Sequence, residues 1–295
     1  MSGPVFTICV TTFNRKELLE QCLKSILEQS YTDFEVIVID DCSTDPSLDL
    51  VEHLDDVRLR YIYNEKNQGL ARNRNRAIAE ARGKYFTFLD DDDRWSKNFL
   101  QVFYENLLGG IERRIYCCQR LNLPFHNFDC NLKELMKLGF TPPVGGQVYL
   151  TENLLSCGGY DERIKTGVDH DLWFAFAAKG FDVKWINVEL VSVNTDSTMS
   201  RMTTDYNARV KKARDSIEIW REKYNECFPV EFWDKLYKNY KLRAGMKHLK
   251  PLLLKGKIIK AFFLLAKMPI RFVVLDVIYS LVPARLLMLR GYFHK

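Results

Sequence analysis

Four aspartates in a row, Asp90 to Asp93 in "FLDDDDRW", stand directly after an apolar stretch. Adjacent carboxylates repel one another, and aspartate is a poor residue inside strands and helices. Two roles account for such a run: a solvated loop that ends in a helix cap, or a site for a divalent cation. Aspartates at i and i+2 on a turn, here Asp90 and Asp92, can face one ion. Mg²⁺ and Mn²⁺ accept a few carboxylates and let substrate phosphates complete the shell. A second acidic pair, Asp40 and Asp41, ends the apolar run "FEVIVIDD". A third, Asp169 and Asp171 in "VDHDLW", flanks His170. Arg72 and Arg74 in "GLARNRNRAIAEAR" suit phosphate or ribose, because a planar guanidinium donates several hydrogen bonds at once.

These residues need a scaffold that brings them together. "VFTICVTTF" is a β-branched apolar run ending at Asn14, a residue suited to cap the helix of "KELLEQCLKSILEQ". "FEVIVIDD" lacks polar alternation, which predicts a strand buried on both faces, as in a parallel sheet. Asp45 and Pro46 read as the cap and first residue of a second helix. "RLRYIY" is a third strand, "GLARNRNRAIAEAR" a helix closed by Gly83, and "KYFTFL" a fourth strand. "SKNFLQVFYENLL" is a helix that Asp93 is placed to cap. This alternation over the first 108 residues predicts a doubly wound α/β sheet, whose ligands bind beyond the carboxyl ends of the strands. That rule puts "TTFN", "DDCSTD" and "DDDD" at one edge. Residues 109–150 are less regular: "PFHNFDCN" and "GFTPPVGGQ" read as loops, forming a lid or an acceptor-side segment, and "QVYLT" as a returning strand. "GGYDERIKTGVDHDLWFAFAAKG" gives a Gly-rich turn, an acidic loop and a helix ending at Gly180. "VKWINVELVSVN" supplies one or two strands, and from about Thr203 the pattern is helical.

Five elements in order resemble the family 2 glycosyltransferases of the GT-A fold. They are "VTTFNR", "SILEQSYTDFEVIVIDDCSTD", "NQGLARNRNRAI", "ARGKYFTFLDDDDRW" and "GGYDERIKTGVDHDLW". The resemblance implies a Rossmann-like, mostly parallel central sheet flanked by helices. It puts the nucleotide-sugar-binding and catalytic domain at residues 1–200, and the helical pattern beyond it makes 201–295 a C-terminal helical region. It also implies transfer, with inversion, from a UDP- or dTDP-sugar to a saccharide acceptor, with lipid-linked acceptors of surface polysaccharide synthesis as the family habit.

Site residues follow from the same resemblance. Asp41, with Asp40 beside it, matches the position that accepts the N3–H of uracil or thymine. Thr11, Thr12 and Asn14 form the wall beside the base. Arg74 with Asn75 matches the family's Arg-Asn pair better than Arg72 does. Asp90 and Asp92 match the D-x-D pair. Asp92 is the direct ligand of Mn²⁺ or Mg²⁺, and Asp90 and Asp91 lie against ribose or metal-bound water. Asp169 matches the general base, with Asp171 as second choice. Gly158, Gly159, Tyr160 and Asp161 form a turn toward the donor sugar or acceptor, with His170 and Trp173 on that side. Trp173 also has the helical spacing of a core residue, and His170 reads equally as a pocket wall or an exposed helix residue. Two positions depart from the family: Val168 stands where many relatives have Glu, and "VNTDSTMS" has no His, which leaves a third metal ligand open.

The bulk composition bounds the alternatives. A chain of 295 residues, 47% hydrophobic and 27% charged, can bury a sizeable core. Its net charge of +5 is uneven, because from Met246 onward ten Lys or Arg face a single acid, Asp276. The apolar tail with interspersed basics reads as an amphipathic surface for the inner face of the cytoplasmic membrane, or as a helical hairpin packed on the domain. No signal-peptide pattern and no uncharged apolar run of about 18 residues is present, so the expectation is a cytoplasmic, peripheral protein. Eight cysteines without C-x-x-C spacing argue against a zinc site, and basics without a recognised motif argue against nucleic acid. A sugar-phosphate nucleotidyltransferase would carry a Gly-rich loop where "TTFNR" stands. A non-catalytic nucleotide-sugar-binding scaffold would have no need of Asp41, Asp92 and Asp169 together.

Overall fold

The computed structural model describes residues 3–108, 112–120, 129–137, 145–194 and 206–254. The chain divides into two compact units, Met1–Thr198 and Met199–Lys295.

The first unit grows from two strands rich in β-branched and aromatic residues. β1 (Phe6–Thr12) and β2 (Phe34–Asp40) are buried along nearly their whole length and pair in parallel, with Thr12 opposite Asp40. Between them, α1 (Lys16–Leu27) buries Leu19, Cys22, Leu23 and Ile26, the i, i+3, i+4, i+7 stripe of an amphipathic helix. Then come α2 (Leu48–Leu54), β3 (Leu59–Tyr63), α3 (Leu70–Glu80), β4 (Tyr85–Asp90), β5 (Arg94–Trp95) and α4 (Phe99–Leu107). They are followed by β6 (Arg114–Arg120), β7 (Asp129–Asn131), α5 (Leu132–Lys137), β8 (Gln147–Leu150), α6 (Thr151–Ser156), α7 (Val168–Ala178) and β9 (Asp182–Ser192). Among the described residues the strands form one sheet in the order β3-β2-β1-β4-β8-β6-β9-β5, with β7 also on β9. β3, β2, β1 and β4 are parallel, and β8 runs antiparallel between β4 and β6. β1 thus has β2 on one side and β4 on the other. This is the point where strand order reverses and a crevice opens beyond the carboxyl ends.

Several local expectations give way to longer-range partners. Asn14 does not cap α1. Its φ is 55°, and its side-chain oxygen accepts from the Thr44 N–H (2.8 Å) and hydroxyl (3.1 Å), joining the loops after β1 and β2. α2 starts at Leu48 after Ser47, past Asp45 and Pro46, and Asp40 takes the Ser47 N–H at 3.1 Å. α3 ends at Glu80, short of Gly83; a Cβ on Gly83 would sit 2.4 Å from the Thr7 backbone nitrogen, so this glycine permits close contact with β1. α4 starts at Phe99 after Asn98, so Asp93 is not its cap; Asp93 accepts the Asn194 N–H at 3.1 Å and joins the end of β9 to the acidic turn. Within the stretch read as irregular, "RIYCCQR" is strand β6, and "VKWINVELVSVN" yields a single strand, β9. Of the segments read as loops, Asp129–Asn131 forms β7, while 124–128 and 139–144 lie outside the described residues, as do 195–205 and everything beyond residue 254.

The second unit contains α8 (Tyr206–Tyr224) and α9 (Val230–Leu254). At the turn between them Phe228 packs on Phe232 and Trp233, with ring centroids 4.6 and 5.6 Å away. Among the described residues no helix is long and apolar enough to cross a membrane.

Candidate active site

At the carboxyl edge of β1, β2 and β4 the acidic groups meet, each with defined partners. The Asp41 carboxylate accepts from the amides of Gln68 (2.7 Å) and Gly69 (2.9 Å), at the entrance to α3, and from Asn64 Nδ2 (3.0 Å). Asn64 Nδ2 also donates to Asn73 Oδ1 at 2.8 Å. A helix entrance suits an anion, because its free N–H groups point outward. Asp40 is fully buried and turned to its own loop, accepting from the Ser43 and Ser47 amides and, at 2.8 Å, from the Tyr61 hydroxyl. Its carboxylate builds the turn that presents Asp41.

The acids after β4 do not stand as unrelieved repulsion. Arg15, just after β1, reaches Asp91 at 2.9 Å and Asp92 at 3.4 Å. The Thr12 hydroxyl donates to the other Asp91 oxygen at 2.8 Å. Thr11 lies beside Asp90 in the β1–β4 register. Burial pushes the Asp91 carboxyl up to about 6, while the charge of Arg15 and the Thr12 hydrogen bond pull it back. Sequence reasoning missed Arg15; its place in "TTFNR" was a signal of position only. Asp90 and Asp92 remain the accessible carboxylates, with side chains 39% and 31% exposed. Among the described residues no three His, Cys, Asp or Glu side chains converge as a ready metal cage. Two open carboxylates still fit Mg²⁺ or Mn²⁺, ions that draw further ligands from water and substrate phosphates.

Arg74 links this turn to the third acidic group. Its side chain is 2% exposed. Nη2 donates to Asp90 Oδ1 at 3.0 Å, and Nη1 donates to Asp169 Oδ1. Burial alone would lower the arginine's pKa, but the charges of Asp169 and Asp90 outweigh it and hold Arg74 protonated. Asp169, 25% exposed, stands in the first turn of α7, where the helix dipole favours a carboxylate.

The remaining predicted residues divide by exposure. Asp171 is buried and accepts the Asp161 N–H at 2.6 Å, so it anchors the loop before α7 instead of standing free as a second base. Asp161 in turn pairs with Arg163 at 2.8 Å. Gly158 and Gly159 have φ of 80° and 66°. Asn75 holds the backbone of Tyr160 from both sides, donating to its oxygen (2.9 Å) and accepting from its nitrogen (2.8 Å). Tyr160 is buried, with its ring against Phe88. Trp173 offers no face to a sugar: it is buried, and its indole N–H donates to Gln147 at 3.1 Å. His170 is half-buried, edge-on to Trp173 at 5.0 Å. Arg72 is exposed and 3.9 Å from Glu162, outside the cluster.

A largely parallel α/β sheet with acids at its switch point opens a polar crevice beyond the strand ends, where such sheets bind their ligands. The model of Glycosyl transferase family 2 matches residues 7–157, and the chain belongs to this family. WcaA of Escherichia coli (strain K12), whose name assigns it to colanic acid biosynthesis, is 42% identical over 104 residues, 35% of this chain and 37% of that protein. A GalNAc(5)-diNAcBac-PP-undecaprenol beta-1,3-glucosyltransferase of Campylobacter jejuni is 44% identical over 110 residues, 36% of each chain. These matches span well under half of the relatives' length. Among solved structures, S. aureus TarS 1-349 in complex with UDP-GlcNAc superposes with a TM-score of 0.60 at 18% identity, covering 88% of both chains. The mannosyltransferase PcManGT of Pyrobaculum calidifontis, with GDP-Man and Mn²⁺, gives 0.58 at 17% identity over 96% of this chain and 82% of that one. These likenesses establish the GT-A fold.

Proposed function

We propose that the protein is an inverting glycosyltransferase that moves a sugar from a UDP- or dTDP-sugar to a saccharide acceptor in bacterial surface polysaccharide synthesis. The observation that carries this reading is the placement of Asp41, Asp90 and Asp92 at the ends of β2 and β4, with Arg74 joining Asp90 to Asp169 of α7. Asp41 Oδ2 accepts only the Gly69 amide among the described bonds, leaving acceptor capacity for the N3–H of a pyrimidine base. Thr11, Thr12 and Asn14 frame that base. Asp169 takes the proton of an acceptor hydroxyl as its oxygen attacks the anomeric carbon. The new C–O bond forms on the face opposite the breaking bond to the nucleoside diphosphate, which gives inversion. Asp92, with Asp90, would hold Mn²⁺ or Mg²⁺, and the ion would offset the negative charge of the diphosphate.

The name of the Campylobacter relative specifies a polyprenol-linked acceptor, which supports a lipid-linked saccharide here as well. Such an acceptor also suits a chain whose last fifty residues are basic and apolar, and it favours work at the inner face of the cytoplasmic membrane.

The test is a panel of nucleotide sugars assayed for donor hydrolysis and transfer, with and without Mn²⁺. Asp169→Asn should keep UDP binding and lose about 10²- to 10⁴-fold in turnover. A normally active variant would refute the base. Pyrophosphate release from a nucleoside triphosphate and a sugar phosphate would replace the reading with nucleotidyl transfer.

A further inference from the structure

We propose that Arg74 is a positioning residue: its buried guanidinium holds Asp169 in register with Asp90 and does not itself bind the donor. This rests on Asp169 being the base. The resemblance to the family suggests a phosphate or ribose contact for this arginine, but the local geometry favours another role. A side chain 2% exposed has little surface left for a ligand. Both terminal nitrogens are engaged, Nη1 with Asp169 and Nη2 with Asp90. The guanidinium carbon lies 4.9 Å from the centroid of the Phe88 ring and 5.7 Å from that of Tyr160, so aromatic rings occupy space around the plane.

The wall is itself held in place. Asn75, the residue after Arg74 on α3, binds both backbone groups of Tyr160 at 2.8 and 2.9 Å. One turn of α3 therefore supplies both the fork and the latch for the ring beside it. The carboxylates come from β4 and from the start of α7, 16 and 95 residues from Arg74 in sequence. A rigid two-pronged donor between them fixes the separation of the donor-side acid from the base. Displacement needs such control, because the attacking oxygen and the leaving group must line up across one carbon. A buried cation also needs anionic partners to offset its lost hydration, and Arg74 has two. Lysine keeps the charge but lacks the planar fork.

Arg74→Lys separates positioning from donor binding. Calorimetry with UDP should give an affinity like that of the wild type, while kcat for donor turnover falls about 100-fold, the scale of a misplaced reacting group. In the double variant with Asp169→Asn, turnover should fall no further than in Asp169→Asn alone. Asn75→Ala, which keeps both charges and releases only the latch on Tyr160, should show a smaller loss confined to kcat. It also stands in for Arg74→Lys if that variant fails to fold. A loss of UDP affinity of about tenfold or more with kcat preserved would make Arg74 a donor ligand and overturn the proposal. Multiplicative losses in the double variant, on the residual turnover of an Asp169→Asn that is itself reduced about 10²- to 10⁴-fold, would overturn the proposal alone. Full turnover by Asp169→Asn would remove the base and the proposal together.

Discussion

At the scale of single residues, Asp91 shows how burial and charge compete in the acidic turn. Its carboxyl is pushed up to about 6 from an ordinary 3.8, chiefly because burial strips it of water. The folded state therefore holds this proton more tightly than the unfolded state. Asp91 weighs against folding above pH 6, and the penalty, about 3 kcal/mol at most, fades as pH falls toward 4. Asp91→Asn should gain stability relative to wild type on going from pH 4 to pH 8, measured by chemical denaturation without divalent ions. A difference that does not change with pH would contradict the buried, charged carboxyl. Asp92, by contrast, is partly exposed and has only the long Arg15 contact among the described residues. Asp92→Asn should abolish Mn²⁺-dependent UDP binding, and unchanged metal dependence would rule it out as a ligand. Four adjacent acids invite a cation in the abstract, yet Arg15 and Arg74 already provide positive charge in the folded chain. An added metal ion would share that task with them.

At the scale of elements, the strands and helices of the first 108 residues are legible because their apolar patterns are long and unbroken. Caps were less legible. Asn14, Asp45 and Asp93 have the right side chains for helix starts, but Asn14 and Asp93 bond instead to Thr44 and Asn194. β6 escaped notice because "RIYCCQR" is short, flanked by arginines, and takes its strand form from pairing with β8 and β9. The turn before α7 offers a controlled comparison. Gly158 and Gly159 both have positive φ, but a Cβ on Gly158 meets nothing within 4 Å, while one on Gly159 would lie 2.5 Å from Asn75 Oδ1. Gly159→Ala should therefore cost more stability than Gly158→Ala, with each losing about 1 kcal/mol or more from backbone strain. Denaturant titration of both variants checks this; equal losses would mean that the Asn75 latch has no energetic weight.

At the scale of the whole molecule, the basic, apolar C-terminal sequence makes a separate prediction. Removing residues 255–295 should lower binding to anionic phospholipid vesicles in a sedimentation assay, and high salt should do the same to the full chain. Vesicle binding that ignores both changes would favour helices packed on the protein. By itself, the sequence determined the α/β alternation, the family, and the strand ends where the acids gather, because burial on both faces and turn chemistry are written in local residue order. Only the tertiary structure decided which acids are open and which are spent. Asp40 and Asp171 carry the same charge as Asp90 and Asp92, yet they are buried and hold loops together. The physical reason is sequence distance. Arg15 meets Asp91 across 76 residues and Arg74 meets Asp169 across 95, so no local pattern could announce either pair before the sheet brought the strand ends together.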